Sequence, residues 1–423
     1  MKRIGVWVWL VRDKVLLMLP KILHFVLYPV AAFWVKYFPK RGLSLIMRMN
    51  RYTDHNLWDG IVKKYFDEIL DSVDYMIPQV SEGANDKDIC LRRSLVLKCP
   101  RTEDGRTVEK GILLISFTTT FDYYYRVVNI DGLLKDYYVV LEPSWAGYCD
   151  ASILQWARFD NHKIIIQSTE RKDRIFLNSL DVNFVPVDFG ASDWVDFRIF
   201  HPIFGVEKIY DSIYVTSYRA GKRHHVYLRA IAKMNDSSYR AAFACGKWGK
   251  SKQTVLDLIS YYGVEKNIDI YESLRQDELN LLLNKAKVNV LFSKKEGSNR
   301  SIFEAFFAGV PGLVLKNNIG MNKEYINKYT GLLVDENEVC DTLLYFRDNW
   351  MQFKPHEWAM ENISPLKTTD KLNSALKSIS IQEGMEWTAD IVPKVNCPEV
   401  AYFTDFGPCN VMSTDDLLQQ YKK

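Results

Sequence analysis

The chain predicts an α/β protein of two doubly wound domains behind a hydrophobic, basic helical segment. Three observations carry that expectation. The chain is 423 residues long, short β-branched runs alternate with helical patterns in two separate series, and the basic charge is gathered at the N-terminus. A chain of this length exceeds one typical core. With 48% hydrophobic and 25% charged residues it has the composition of a folded protein, not a disordered one.

The N-terminal segment is taken as residues 1–51. It holds ten Lys/Arg against the single acid Asp13, whereas the rest of the chain has 45 basic against 51 acidic residues. Positive charge confined to one end is not the stripe of a nucleic-acid binder. Ile22 to Val35 is an uncharged run of 14, interrupted by Pro29 and flanked by Lys21 and Lys36. A spanning helix needs ~20 apolar residues, so the run falls in the interfacial class. Trp7, Trp9, Tyr28, Trp34 and Tyr37 suit a headgroup layer, and the lysines suit anionic lipid. Peripheral attachment to the cytoplasmic face of a membrane is the expectation, set against a helix pair that joins the core. The seven cysteines are scattered with no C-x-x-C pair, which reads as reduced thiols and no zinc site.

Residues 52–205 are expected to form the first domain. Trp58 to Val73 follows helical apolar spacing, with Thr53 or Asp54 as cap. Ser81–Asp88 and Arg101–Lys110 read as surface loops around a strand at Leu95–Cys99. Strands follow at Ile112–Phe117, Tyr137–Glu142, Lys163–Gln167 and Val182–Pro186, with helices at Ile153–Arg158 and Arg171–Ser179. Residues 206–345 repeat the pattern. Strands are expected at Ile213–Thr216, Ala241–Cys245, Ile268–Tyr271, Val288–Phe292 and Gly312–Leu315. Helices are expected at Arg223–Met234, Ser251–Tyr262, Asp277–Lys287 and Ser301–Ala308. This alternation implies parallel sheets covered by helices on both faces, that is, two Rossmann-like domains. Residues 346–423 are expected to return as a tail to the first domain.

Chemistry is densest at Ser293–Lys323, SKKEGSNRSIFEAFFAGVPGLVLKNNIGMNK. A strand ending at Phe292 delivers Glu296 to a turn where Gly297 lets backbone approach a ligand. Ser298 or Asn299 caps the next helix, whose first amides offer a phosphate site. Glu304, eight residues after Glu296, can accept paired hydrogen bonds from vicinal ribose hydroxyls. This region resembles the E-x7-E motif of the family-4 glycosyltransferases. That family has the two-domain GT-B fold and retains anomeric configuration. The resemblance implies that Glu296 meets the donor sugar, that Glu304 meets the ribose, and that Asn322-Lys323 stand in the loop facing the sugar. It also implies that Lys222 holds the diphosphate. Ser217 stands where the family has an Arg, and Arg219 is the candidate substitute. His224 and His225 read as bystanders, and Tyr271–Leu279 falls at the turn where the family lays the nucleobase.

The reading that follows is a retaining, metal-independent transfer of sugar from a nucleotide-diphosphate sugar, between two facing domains, to a glycan or lipid-linked acceptor. The donor is a substrate, and no cofactor is implied. On the acceptor side, Asp122, Glu142 and Trp145 are candidates, with Ser144. A single-domain metal-dependent transferase would need an apolar strand running into Asp-x-Asp. The chain's Asp86-Lys87-Asp88 lies in a polar stretch without one. A sugar-nucleotide epimerase of the same fold, or a non-catalytic sugar-nucleotide-binding membrane protein, would keep the donor residues and need no acceptor. No P-loop, G-x-G-x-x-G or Ser-His-Asp pattern competes.

Overall fold

The computed structural model describes residues 2–52, 55–77, 84–144, 150–246, 252–396, 399–403 and 411–423. They divide into a unit of Met18–Trp194 with Pro365–Lys423 and a unit of Met1–Leu17 with Val195–Ser364.

The first of these is built on a five-stranded sheet. Strand β1 (Ser94–Lys98) leads into a hairpin of β2 (Arg101–Glu103) and β3 (Arg106–Glu109). Then follow β4 (Gly111–Ser116), β5 (Tyr137–Glu142), β6 (Ile164–Gln167) and β7 (Phe184–Val187). The order is β1-β4-β5-β6-β7, with β1 antiparallel to β4 and the rest parallel. Both faces are covered. Leu113, Ile115, Val139, Leu141, Ile164 and Ile166 enter one core, while Ile112, Leu114, Tyr138, Val140 and Ile165 enter another. That is why these strands read as continuous apolar runs.

The second unit is built on a six-stranded, wholly parallel sheet. Its strands are β8 (Ser212–Ser217), β9 (Ala241–Gly246), β10 (Ile268–Glu272), β11 (Asn289–Leu291), β12 (Gly312–Leu315) and β13 (Gly331–Val334). The spatial order β10-β9-β8-β11-β12-β13 is that of a dinucleotide-binding Rossmann fold, winding outward in both directions from β8 and β11. The tail strands β14 (Lys394–Asn396) and β15 (Val400–Tyr402) form an antiparallel pair in the five-stranded unit.

Several expectations need correction. The first unit ends at Trp194 rather than 205, because Val195 and Phe200 pack with Ile213 and Ala244 of the second. The second unit runs to Ser364 rather than 345, because Phe346, Ala359 and Ile363 belong to its cores. Only the helix Pro365–Gln382 begins the return to the five-stranded unit, burying Leu372, Leu376 and Ile379 against Leu97 and Val140. Residues 1–51 are not one segment. A helix runs unbroken from Lys2 to Tyr37, with Met1–Leu17 grouped with the six-stranded unit. Pro29 removes one helical hydrogen bond without stopping the helix. A second helix, Pro39–Tyr52, follows.

The polar stretches also fold. Ala84–Arg92 is a helix that buries Cys90 and leaves Asp88 and Arg92 exposed, in keeping with its polar sequence. Arg101–Glu109 is the β2–β3 hairpin. Asp104 and Gly105 both have positive φ (49° and 74°), the requirement of a tight two-residue turn. The helices Thr118–Val127 and Ile130–Asp136 were not expected. The first is rich in Thr and Tyr, poor helix formers, and is held by burial of Phe121, Tyr123 and Tyr124. The caps Thr53 and Asp54 lie outside the described residues.

One ion pair ties the tail to this sheet. Lys394 Nζ lies 2.6 Å from Glu142 Oε2, both side chains fully buried, with the ammonium 4.2 Å from the centroid of Trp194. Glu142 also accepts from Ser116 Oγ (2.7 Å) and Asn396 Nδ2 (3.1 Å). Removing one partner strands a buried charge, so Lys394→Ala is expected to lower the unfolding free energy by about 3–5 kcal/mol. Lys316→Ala, which breaks an exposed pair with Asp335, is expected to leave it unchanged within error. Denaturant unfolding of both variants is the measurement, and equal effects would remove the structural role assigned to Lys394.

Candidate active site

In a doubly wound sheet the two central strands feed their loops in opposite directions, and a crevice opens between those loops at the carboxyl ends. Here the central strands are β8 and β11. After β8 the chain makes a short turn, Ala220–Lys222, and enters the helix His224–Met234. After β11 it forms a loop and enters the helix Ser301–Phe307.

These loops are stitched together by backbone. Lys294 N donates to Gly221 O (3.4 Å), Ile319 N to Lys294 O (2.9 Å) and Glu296 N to Ile319 O (2.8 Å). The β8, β11 and β12 loops thus form one layer. Within it Lys222 Nζ lies 2.7 Å from Glu296 Oε1 and 2.8 Å from Oε2. The two side chains are 22% and 10% exposed, so the pair faces solvent while its carboxylate is enclosed. Tyr214 Oη donates to Lys222 O and anchors the turn from below.

Glu304 is buried on the inner side of its helix, with Arg300 Nη2 3.2 Å away. Burial raises its pKa against the pull of Arg300. The helix start is held by Asn299, whose Oδ1 accepts from Ile302 N (3.1 Å) and Ser301 Oγ (3.2 Å). Gly297 and Ser298 lie half-buried in the loop before it. Asn322 is buried with Oδ1 accepting from Glu324 N (3.1 Å), and Lys323 Nζ donates to Asn318 O (2.6 Å). These two bonds hold the Asn322-Lys323 turn together from within. Arg219 is exposed, and its guanidinium has no partner among the described residues. Among the described residues no three His, Cys, Asp or Glu side chains are grouped to hold a metal ion.

The acceptor-side candidates are not brought together. Glu142 is spent in the pair with Lys394 and is closed to any ligand. Asp122 sits inside the helix Thr118–Val127, accepting from Ser152 Oγ (3.0 Å) and Gln155 Nε2 (3.2 Å). Trp145 lies outside the described residues, and Ser144 is half-buried at their edge. The turn from β4 into the helix Thr118–Val127 carries Phe117 at φ 67°, with the Arg93 guanidinium 4.1 Å from its ring centroid. A bulky residue in that conformation marks local strain.

His224 is fully buried, its ring tilted against Tyr214 and edge-on to Phe243, and burial lowers its pKa to about 3, so it is neutral. His225 is more than a bystander, since its Nε2 lies 3.1 Å from Asp13. Sequence reasoning also missed Arg223 and Glu336, which pair in the same place. A lone acid among ten basic residues was the available signal for Asp13.

Residues 198–344 match the family described as glycosyl transferases group 1. No curated protein matches the chain in sequence. Among solved structures, it is similar to the sucrose-phosphate synthase of Thermosynechococcus elongatus at 11% identity and a TM-score of 0.50, covering 64% of this chain and 74% of that one. It is similar to Alr3699/HepE of Anabaena, solved in complex with UDP, also at 11% identity and a TM-score of 0.50, covering 63% and 78%. At such identity the likeness is one of fold. The fold is of the GT-B type, and the group 1 match falls within the six-stranded unit.

Asp122 gives a pH prediction. Burial, helped by the charge of Asp150, pushes its carboxyl up to about 7 from the ordinary 3.8, against the hydrogen bonds from Ser152 and Gln155. The unfolded chain therefore gives up this proton first, and the group's contribution to stability falls as pH rises from about 4 to about 7. Asp122→Asn is expected to melt higher than the parent at pH 8, by several degrees more than at pH 5. Equal shifts at the two pH values would show that this carboxyl is not the titrating group.

Proposed function

We propose that the protein is a retaining, metal-independent glycosyltransferase of the family-4 type. It moves a sugar from a nucleotide-diphosphate sugar to a glycan or lipid-linked acceptor at the cytoplasmic face of a membrane. The observation that carries this reading is the Lys222–Glu296 pair at the reversal point of the six-stranded sheet, with Glu304 eight residues further on. In this reading the diphosphate takes the Lys222 ammonium from Glu296, an exchange open to a pair that reaches solvent. Glu296 is then released toward the sugar, and Glu304 accepts from the ribose hydroxyls.

The chemistry needs little more. The bond from the anomeric carbon to the phosphate oxygen breaks, and the acceptor hydroxyl oxygen bonds to that carbon on the same face. The hydroxyl proton passes to the departing phosphate oxygen. Negative charge grows on the diphosphate, so a preorganised cation contributes most at that point. Lys222→Ala is expected to lower turnover by roughly two to three decades. Glu304→Ala is expected to weaken donor binding by about 1.5–3 kcal/mol. Chelation by EDTA is expected to leave the rate unchanged. Wild-type rates in both variants would remove the site assignment, and rescue by manganese after EDTA would remove the metal-independent mechanism.

The membrane part of the proposal is supported by the helix Lys2–Tyr37. Val26, Val30, Phe33 and Tyr37 recur at helical spacing and are exposed, with Trp34 and Phe38 beside them. Lys36, Lys40 and Arg41 are exposed at the same end. No helix among the described residues is long and apolar enough to cross a membrane. Basic residues near an anionic surface contribute about 1 kcal/mol each, and the aromatic ring faces add apolar insertion. The full chain is expected to float with anionic liposomes and much less with neutral ones. Phe33→Ser combined with Tyr37→Ser is expected to abolish flotation. Point variants suit this test better than removal of residues 1–45, which would also take Asp13 from the buried Arg223. A full chain that stays soluble at low salt would end the membrane assignment and leave the transferase assignment standing.

A further inference from the structure

Beside the Lys222–Glu296 pair, the six-stranded unit holds a second cluster of enclosed charge, centred on the very next residue. Arg223 is 1% exposed and adopts φ 52°, the left-handed region that non-glycine residues rarely enter. Its guanidinium is gripped from two sides. Nε donates to Asp13 Oδ1 (3.0 Å) and Oδ2 (3.2 Å), and Nη2 donates to Asp13 Oδ2 (3.1 Å) and Glu336 Oε2 (2.6 Å). His225 Nε2 approaches the same Asp13 oxygen at 3.1 Å, and Arg229 pairs with the other oxygen of Glu336. Asp13 belongs to the first helix, in the part grouped with this unit.

The cluster closes the turn that carries Lys222. Lys222 N donates to Arg219 O and Arg223 N to Ala220 O, both at 3.0 Å. The left-handed Arg223 then turns the chain into the helix His224–Met234. A buried guanidinium cannot move without losing its carboxylates, so its backbone is fixed, and with it the backbone of the lysine one residue earlier. Without Asp13, the guanidinium keeps only Glu336, which it shares with Arg229. It would then drift toward water and release the left-handed turn.

The geometry points to Asp13 as a positioning residue for the donor site, acting through Arg223 to hold Lys222 where a diphosphate would meet it. This inference rests on the donor-site reading above. A misplacement of 1 Å in a charged contact is enough to cost orders of magnitude in function.

The test is a double-mutant cycle on the full chain, read by calorimetric titration with UDP, GDP and ADP. It compares the parent, Asp13→Asn, Lys222→Ala and the double variant. Asp13→Asn is expected to weaken binding of the preferred diphosphate about tenfold in the parent and less than twofold in the Lys222→Ala background. Asp13→Glu, which keeps the charge, is expected to recover most of the loss. If Asp13→Asn does not fold, Glu336→Gln takes its place in the cycle. Parent-like binding by Asp13→Asn, or the same loss in both backgrounds, would overturn the positioning role, since a merely structural defect is additive. Parent-like binding by Lys222→Ala would instead overturn the donor-site reading, and the inference with it.

Discussion

The reversal of strand order between β8 and β11 is the constraint on which the site depends. Parallel strands joined by right-handed crossovers can leave a central strand on either side, but only at the reversal do two loops diverge and leave room for a ligand. Here those loops carry an ammonium and a carboxylate 74 positions apart in sequence, and the sheet brings them to 2.7 Å. Their partial exposure matters as much as their proximity. A fully buried pair would be costly to open, whereas one that reaches solvent can exchange a carboxylate for a phosphate. The backbone bonds between Gly221 and Lys294 and between Lys294 and Ile319 keep three loops in one layer beneath the pair.

Ion pairs elsewhere in the molecule serve a different end. Lys394 with Glu142, and Arg223 with Asp13 and Glu336, are enclosed and bridge distant parts of the chain within a unit. Isolated charges in such places would cost several kcal/mol each, so each carboxylate and its cation hold one another in position. The first pair binds the tail to the five-stranded sheet. The second joins the first helix to the six-stranded unit. The Glu142 carboxylate therefore has a settled partner, which is why its place at the end of β5 does not make it a ligand group.

Much of this was legible in the sequence, and the reason is the physics of parallel sheets. Strands buried on both faces must be apolar along their whole length, so β4, β5, β9 and β12 stand out as uninterrupted runs with near-correct bounds. Lys222 and Glu296 stood out because each lies beside a glycine at a strand-to-helix junction, and Glu304 because it follows Glu296 by eight residues. By itself the sequence therefore determined the two α/β units and most of their parallel strands. Tertiary structure alone decided the unit boundaries, the helix at Thr118–Val127 against its own propensities, and the closure of Glu142. It also decided the union of Asp13 with Arg223, 210 positions away. Periodicity along the chain records which faces are buried, but not which charge will meet which, because a long-range ion pair leaves no local pattern in either of its neighbourhoods.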